Sequence, residues 1–265
     1  MNFSISEIKE IISTISTYEN MDYSGYSISF LKRSFSKVFD LLNIKRIVQF
    51  YEQLKIKEIR DKVIGEMFVE TTEMFRDPAF WRYVRDNILN KIPAESTLWF
   101  PNETTGEEVF SLSIILKEKG LLNNFNILYN NPSNYLCSNI NNGIVKIKNF
   151  EVNISNYKRL ENLDLFETYF NRDSNTDTVT QEIRDRIKYK QVSCDKAIED
   201  EKISMIFARN LSLSYNHNFS EHFFEMLYEK LMSGGFLALG IKEKLPASIA
   251  DKMRIVSESE KIYKK

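Results

Sequence analysis

From about residue 95 the chain alternates short apolar runs with amphipathic helical patterns of ~10–15 residues, a rhythm that restricts the fold more than any other feature. Leu98-Trp99-Phe100 reads as a short strand, and Thr105-Gly106-Glu107-Glu108 then opens a helix carrying Val109, Phe110, Leu112, Ile114, Ile115 and Leu116. Further strands are expected at Phe125–Tyr129, Ile187–Val192 and Ile203–Ala208. A helix from about Glu221 to Met232 precedes Gly234-Gly235 and a strand at Phe236–Leu239, and Met253–Val256 and Lys261–Tyr263 read as closing strands. This order predicts an α/β fold: an open, mostly parallel sheet covered by helices on both faces, with a reversed strand near the C-terminus. Such a sheet takes its ligand outside the carboxyl ends of its strands.

Residues 3–70 carry a different period, that of helices. Ser4 and Glu7 stand at capping-box spacing, and Ile8, Ile11, Ile12 and Ile15 form the apolar stripe that follows. Tyr23–Tyr26 interrupt the pattern around Gly25. Leu31, Phe35, Val38, Phe39 and Leu42 then resume it, followed by Ile47, Phe50, Tyr51 and Leu54 and by a fourth helix from about Ile56 to Phe68. Basic side chains cluster here as Lys32, Arg33, Lys37, Lys45 and Arg46. They read either as a solvated helix face or as a contact surface for an acidic partner. The polar, Asn-rich stretch from about 143 to 186 breaks the strand–helix rhythm and reads as an inserted subdomain, because a structureless loop of that length is uncommon.

Composition narrows the function. Lys and Arg number 36 against 37 Asp and Glu, a net charge of −1, so there is no cationic surplus for a nucleic-acid backbone. Apolar residues at 43% can bury a core, and only 8 glycines and 5 prolines argue against a loop-rich sandwich. Cys137 and Cys194 cannot build a disulfide framework or a structural zinc site. No apolar run approaches the ~20 residues of a membrane helix, and no signal-like apolar stretch follows Met1. The expectation is a cytoplasmic protein that does not insert into membranes. His217 and His222 are five apart, turned roughly 140° from one another on a helix; HEXXH order is absent and no metal site is expected. Nor is there a GxSxG elbow or a P-loop.

One ordered set of segments is specific. Thr71-Thr72-Glu73-Met74-Phe75-Arg76-Asp77-Pro78 precedes Phe80-Trp81, and Trp99 leads into Thr105-Gly106-Glu107-Glu108. Ile206-Phe207-Ala208-Arg209-Asn210 and Gly234-Gly235-Phe236-Leu237-Ala238-Leu239-Gly240 follow, with Glu243 close behind. This set resembles the CheR family of chemotaxis-receptor methyltransferases, whose members carry a TEFFR-like segment, a first strand running into GCSTGEE, an RNVLIYF segment, and a GG-F-L-x-LG strand before SES. Asp22-Tyr23-Ser24-Gly25-Tyr26 and Leu31-Lys32-Arg33 look like that family's N-terminal helical domain. The resemblance implies a helical domain over residues 1–70 and a Rossmann-like S-adenosylmethionine domain over 71–265, interrupted by the subdomain at about 143–186. It implies methyl transfer to glutamate side chains of a chemoreceptor's cytoplasmic helices, met by Lys32, Arg33 and Lys37. The inserted subdomain looks like the one some members use to dock a receptor tail peptide.

Carried over by residue, the resemblance assigns the cofactor surroundings to Thr72, Arg76, Glu107, Glu108, Asn131, Arg209 and Asn210, with Arg76 at a catalytic position. Arg76 and Asn210 have a second reading, as groups that satisfy buried backbone. Several positions depart from the family. Pro101-Asn102-Glu103-Thr104 stands where the family has Ala-Gly-Cys-Ser, and Glu103 brings a negative charge beside the expected methionine carboxylate. Tyr129-Asn130-Asn131 replaces Ala-Thr-Asp, substituting a neutral amide for the carboxylate that holds the ribose hydroxyls; charge-assisted bonds are roughly twice as strong. Ser193-Cys194 replaces Asn-Leu, and Ser214 falls on the tyrosine of RNVLIYF, with Tyr215 adjacent. Two functions follow as expectations: a homologue with weakened or lost cofactor binding and catalysis, or an active methyltransferase with a compensated pocket.

Overall fold

The computed structural model describes residues 3–18, 22–68, 73–101, 104–145, 150–161, 165–172, 177–192 and 203–265. Four helices come first: α1 (Ile5–Tyr18), α2 (Ile28–Leu41), α3 (Ile47–Gln53) and α4 (Lys57–Phe68). The capping box forms as its spacing predicts: the Ser4 amide donates to Glu7 Oε2 at 2.7 Å and the Glu7 amide to Ser4 Oγ at 3.2 Å. That exchange satisfies two amides the first turn leaves without helical partners. Ser27 caps α2 by accepting from the Phe30 amide. The apolar stripes of the four helices, Ile8, Ile11, Ile15, Phe35, Phe39 and Phe50 among them, close over a shared core that also takes in Leu136.

After α5 (Pro78–Tyr83), a π-helical turn at Val84–Ile88 and a 3₁₀ turn at Leu89–Lys91, β1 (Thr97–Pro101) enters a seven-stranded sheet. There follow α6 (Glu107–Glu118), β2 (Asn126–Asn130), α7 (Asn134–Asn141) and β3 (Ile144–Val145). Next come α8 (Phe150–Lys158), β4 (Phe170–Arg172), β5 (Asp177–Val179), α9 (Gln181–Arg184) and β6 (Ile187–Lys190). The chain closes with β7 (Ile203–Ala208), α10 (His217–Lys230), β8 (Leu231–Leu239), α11 (Ala247–Ala250), β9 (Arg254–Ser257) and β10 (Ile262–Lys264). The sheet order is β6-β2-β1-β7-β8-β10-β9. Pairs β6–β2, β2–β1, β1–β7 and β7–β8 are parallel, and β10 runs antiparallel between β8 and β9. Counting only the parallel strands in chain order gives 3-2-1-4-5, a Rossmann-like doubly wound sheet, and its order reverses beside β1. The predicted α/β class and reversed strand are present.

Two boundaries differ from the sequence reading. Helix α10 starts at His217, four residues before the expected Glu221, because Asn216 accepts from the Phe219 amide and caps the turn. Its first turn is mostly polar, and Phe219, four residues before Phe223, is its one apolar side chain. Strand β8 starts at Leu231 and runs through Gly234-Gly235, which the sequence presents as a break. Gly234 has φ +81° and the β7–β8 register shifts between Ile203 and Met205, so the glycines mark an irregularity inside the strand. Within residues 144–179, β3, β5 and β4 form a separate antiparallel sheet. It packs with α8 through Phe150, Tyr157, Phe166 and Phe170.

Candidate functional site

The sequence places the site at the carboxyl ends of β1, β2, β7 and β8, and the structure shows how that rim is built. The segment Glu73–Asp77 crosses it and is clamped from two sides. The Met74 amide donates to Asn153 Oδ1 at 2.9 Å, and Asn156 Nδ2 donates to the Met74 carbonyl and to Glu73. On the other side the Phe75 amide donates to Ser111 Oγ at 2.8 Å. Phe75 and Asp77 both have positive φ, +53° and +59°, leaving Arg76 between two left-handed residues. Such conformations cost about 1–3 kcal/mol each and persist where neighbours over-determine them. Helix α8 therefore helps hold Arg76, which is exposed on the rim.

Arg209, at the end of β7, plays a different part from Arg76. Its side chain is 1% exposed, with Nη2 2.5 Å from Asp77 Oδ2 and Nη1 2.6 Å from Glu108 Oε1. The guanidinium also lies 4.1 Å from the centre of the Phe80 ring. Arg209 thus ties the Arg76 segment to the start of α6 from beneath. Burial raises the Glu108 carboxyl above its ordinary range, and Arg209 opposes that rise.

Asn210 has φ +62° and is fixed by Glu243, a residue with no assigned role in the sequence reading. Glu243 is 2% exposed and accepts from the amides of Asn210, Ser212 and Gly240 and from the Ser212 hydroxyl, at 2.6–2.8 Å. Its position behind Gly240, in the segment aligned with SES, was the available signal. A Cβ on Gly240 would lie 2.2 Å from Asn210 Oδ1 and 2.9 Å from the Asn210 nitrogen. Gly240→Ala is therefore expected to lower stability by about 1–3 kcal/mol, as overpacking does, and urea denaturation would measure it.

Arg33, Arg76, Asp77, Asn210, Ser214 and Lys242 surround a cleft of about 250 Å³ between α2 and the sheet. Its walls are joined by backbone. The Ser27 amide donates to the Ser214 carbonyl at 2.8 Å and the Asn216 amide to the Gly25 carbonyl at 2.9 Å. Tyr215, the neighbour of Ser214, is 6% exposed and packs against Tyr26, Phe219 and Phe223. The cleft at this position is lined by Ser214. The three basic residues of α2 have different neighbours: Arg33 reaches this cleft, Lys37 pairs with Glu66 of α4 at 3.2 Å, and Lys32 lies near Glu7 of α1, where its charge helps lower the Glu7 carboxyl after the Ser4 hydrogen bonds.

At the other end of the rim, Glu107 is 2% exposed and its Oε2 has no hydrogen-bond partner among the described residues. It borders a small cavity with Thr104, Thr105, Tyr135 and Asn139. At the end of β2, Asn130 Oδ1 accepts from Trp99 Nε1 at 2.7 Å while its Nδ2 donates to the Val192 carbonyl. Asn131 Oδ1 accepts from the Ser133 amide at 2.7 Å. Thr72, Asn102, Glu103 and Ser193, all singled out in the sequence, lie outside the described residues.

A Rossmann-like sheet with a cleft at its strand ends makes this a doubly wound α/β protein, and comparison with known proteins gives its family. The family description "CheR methyltransferase, SAM binding domain" matches residues 70–262, and the chain belongs to this family. A Pseudomonas putida KT2440 protein named "Putative methyltransferase Cher3" is 22% identical over 98% of this chain and 96% of its own length. Among solved structures, the glycopeptide N-methyltransferase MtfA complexed with S-adenosyl-L-methionine is similar at TM-score 0.34 and 12% identity, covering 60% of this chain and 53% of its own. The N-methyltransferase NodS from Bradyrhizobium japonicum WM9, complexed with S-adenosyl-L-homocysteine, is similar at TM-score 0.34 and 9% identity, covering 64% and 63%. The chain spans about half to two thirds of the length of these two.

The family's cofactor is S-adenosylmethionine, and the two ends of the rim differ in how they suit it. The unsatisfied Glu107 oxygen is a buried acceptor of the kind a ligand ammonium would fill. At the end of β2 no carboxylate faces a ribose diol among the described residues, and the carbonyl oxygens of Asn130 and Asn131 already accept protein donors. No helix among the described residues is long and apolar enough to cross a membrane.

Proposed function

We propose that this protein is a CheR-like protein-glutamate O-methyltransferase homologue of a chemosensory pathway in which S-adenosylmethionine binding and methyl transfer are weakened or lost. On this reading the fold is retained as a module that binds an acidic helical partner, such as the cytoplasmic domain of a chemoreceptor. The observation that carries the reading is the pair of committed amides at the end of β2. A carboxylate offers two charged oxygens to a diol; an amide offers one neutral oxygen, and here that oxygen is engaged. Hydrogen bonds to a charged acceptor contribute roughly 1.5–3 kcal/mol each, so losing them moves a micromolar site toward the high-micromolar range or beyond. Ser214 in the cleft, with Tyr215 turned into the core, adds support.

A second reading, an active methyltransferase acting on receptor glutamates, is favoured by one observation: the unsatisfied Glu107 oxygen, which suits a bound methionine ammonium. Calorimetric titration of S-adenosylmethionine and of S-adenosylhomocysteine into the purified protein separates the two. The expected outcome is a Kd above about 100 µM, near −5.5 kcal/mol. A low-micromolar value, about −8 kcal/mol, would overturn the proposal in favour of the active enzyme.

A further inference from the structure

We propose that helix α8 and the aromatic cluster it packs with are a positioning element for Arg76, with Asn153 and Asn156 as positioning residues, and that a change within the inserted segment is transmitted to the rim through Phe75. This goes beyond the proposed function, because it holds whether methyl transfer is retained or lost.

Arg76 lies on a stretch that is neither helix nor strand, just before α5 begins at Pro78. Such a stretch takes its shape from whatever holds its two sides. After Arg76, the Asp77 carboxylate is held by Arg209 at the end of β7. Before it, both backbone groups of Met74 are taken by α8, the amide by Asn153 and the carbonyl by Asn156. Met74, Asn153 and Asn156 are all buried, and buried backbone groups are costly to leave without partners. The same helix also reaches the chain beyond Arg76. Arg82 of α5 and Arg85 donate to the carbonyls of Arg159 and Leu160, just past the end of α8, each at 2.6 Å. The chain on both sides of Arg76 is thus tied to α8. Glu118, the last residue of α6, ties the inserted segment to the sheet by accepting from the hydroxyls of Tyr157 and Tyr169.

Phe75 supplies the link that can move. Its ring is buried, 5.3 Å from the centre of Tyr157 and 6.1 Å from that of Phe166, and Phe166 lies 4.7 Å from Phe170 on β4. Ring contacts therefore run unbroken from a strand of the inserted sheet to the residue before Arg76. The left-handed backbone of Phe75 is rare for a bulky side chain. It is kept by the seat of the ring and by the Ser111 hydroxyl that accepts its amide. Loosening the seat lets Phe75 return to a commoner conformation, and the direction of the chain at Arg76 changes with it. Packed clusters yield by such discrete steps and not by gradual deformation. The coupling is reciprocal, so a contact that fixes Arg76 should also steady the inserted segment.

Hydrogen exchange on the full chain without cofactor tests this, read by mass spectrometry in peptides covering Glu73–Asp77. Each variant is measured at the same interval below its own thermal midpoint, so a general loss of stability does not register. Asn153→Leu should speed exchange of the Met74 amide about tenfold. Asn153→Asp keeps the accepting oxygen and gives up only Nδ2, which has no partner among the described residues, so it should restore most of the protection. Phe170→Leu acts one ring further away, beyond Phe166, and should speed exchange at Phe75 about threefold. Phe39→Leu, the same change in the separate core of the helical domain, should leave these peptides as in wild type. Wild-type exchange in Asn153→Leu and Phe170→Leu, equal exchange in Asn153→Leu and Asn153→Asp, or an equal rise in Phe39→Leu would overturn the assignment. Tight cofactor binding in the separate titration would overturn the proposed function and leave this result unaffected.

Discussion

Replacing Glu243 by alanine is expected to cost this protein about 4 kcal/mol or more of stability, a large part of the 5–15 kcal/mol typical of a folded domain. Three backbone amides and one hydroxyl converge on its two oxygens, and all four donors lose their acceptor in the variant. Each buried donor left unsatisfied costs roughly 1–3 kcal/mol, the larger values applying to partners of charged groups. Water entering the vacated space would reduce that sum, which is why the lower end is adopted. The loss should fall on the turn joining Asn210 to Gly240, so the rim of the cleft loosens together with the fold. Glu243→Gln keeps one of the two oxygens and should recover part of the loss. Urea denaturation reads both variants: a lowered midpoint at constant slope marks a change in stability. A midpoint for Glu243→Ala within about 0.5 kcal/mol of wild type would show that these four hydrogen bonds are replaceable.

The sequence made the sheet legible because each central strand carries a short, mostly apolar run, interrupted in β7 by Ser204. Leu98–Phe100 and Ile203–Ala208 are buried on both faces, which leaves no room for another period. Helical spacing in the first 68 residues was equally clear, since α1 and α2 each bury one stripe. Legibility fails where a structure depends on partners distant in sequence. Nothing local in Met74-Phe75 announces that Asn153 and Ser111 will bind their amides, 79 and 36 residues away. Arg209 shows the same limit. Its place in the motif is readable, yet only the fold reveals that its guanidinium is turned beneath the rim toward Asp77 and Glu108, whereas Arg76 is exposed at the surface. The basic residues of α2 illustrate it once more. Sequence spacing groups Lys32, Arg33 and Lys37, and packing against α1, α4 and the sheet gives each a different neighbour.

Arg209→Met should destabilise the protein by about 3–5 kcal/mol near neutral pH, the usual cost of breaking a buried ion pair by removing one partner. The methionine fills much of the space beside Phe80 but leaves Asp77 and Glu108 facing each other without the intervening cation. The effect should depend on pH with a definite sign. Burial already raises the Glu108 carboxyl, and the arginine is the largest influence opposing it, so its loss raises that carboxyl further. A carboxyl whose folded pKa lies above its unfolded value binds more protons in the folded state. Stability is then greatest below the unfolded value and falls as pH rises through the folded one. The deficit of Arg209→Met relative to wild type should therefore be larger at pH 8 than at pH 5. Adding Glu108→Leu to Arg209→Met removes the second charge together with its partner. Because a buried pair replaced as a unit by apolar groups is often nearly neutral, the double variant should be more stable than Arg209→Met alone and should lose most of its pH dependence. Urea midpoints at the two pH values measure all three proteins. A deficit independent of pH, or a double variant weaker than the single one, would mean that Arg209 stabilises the site through its stacking on Phe80 instead of through the two carboxylates it joins.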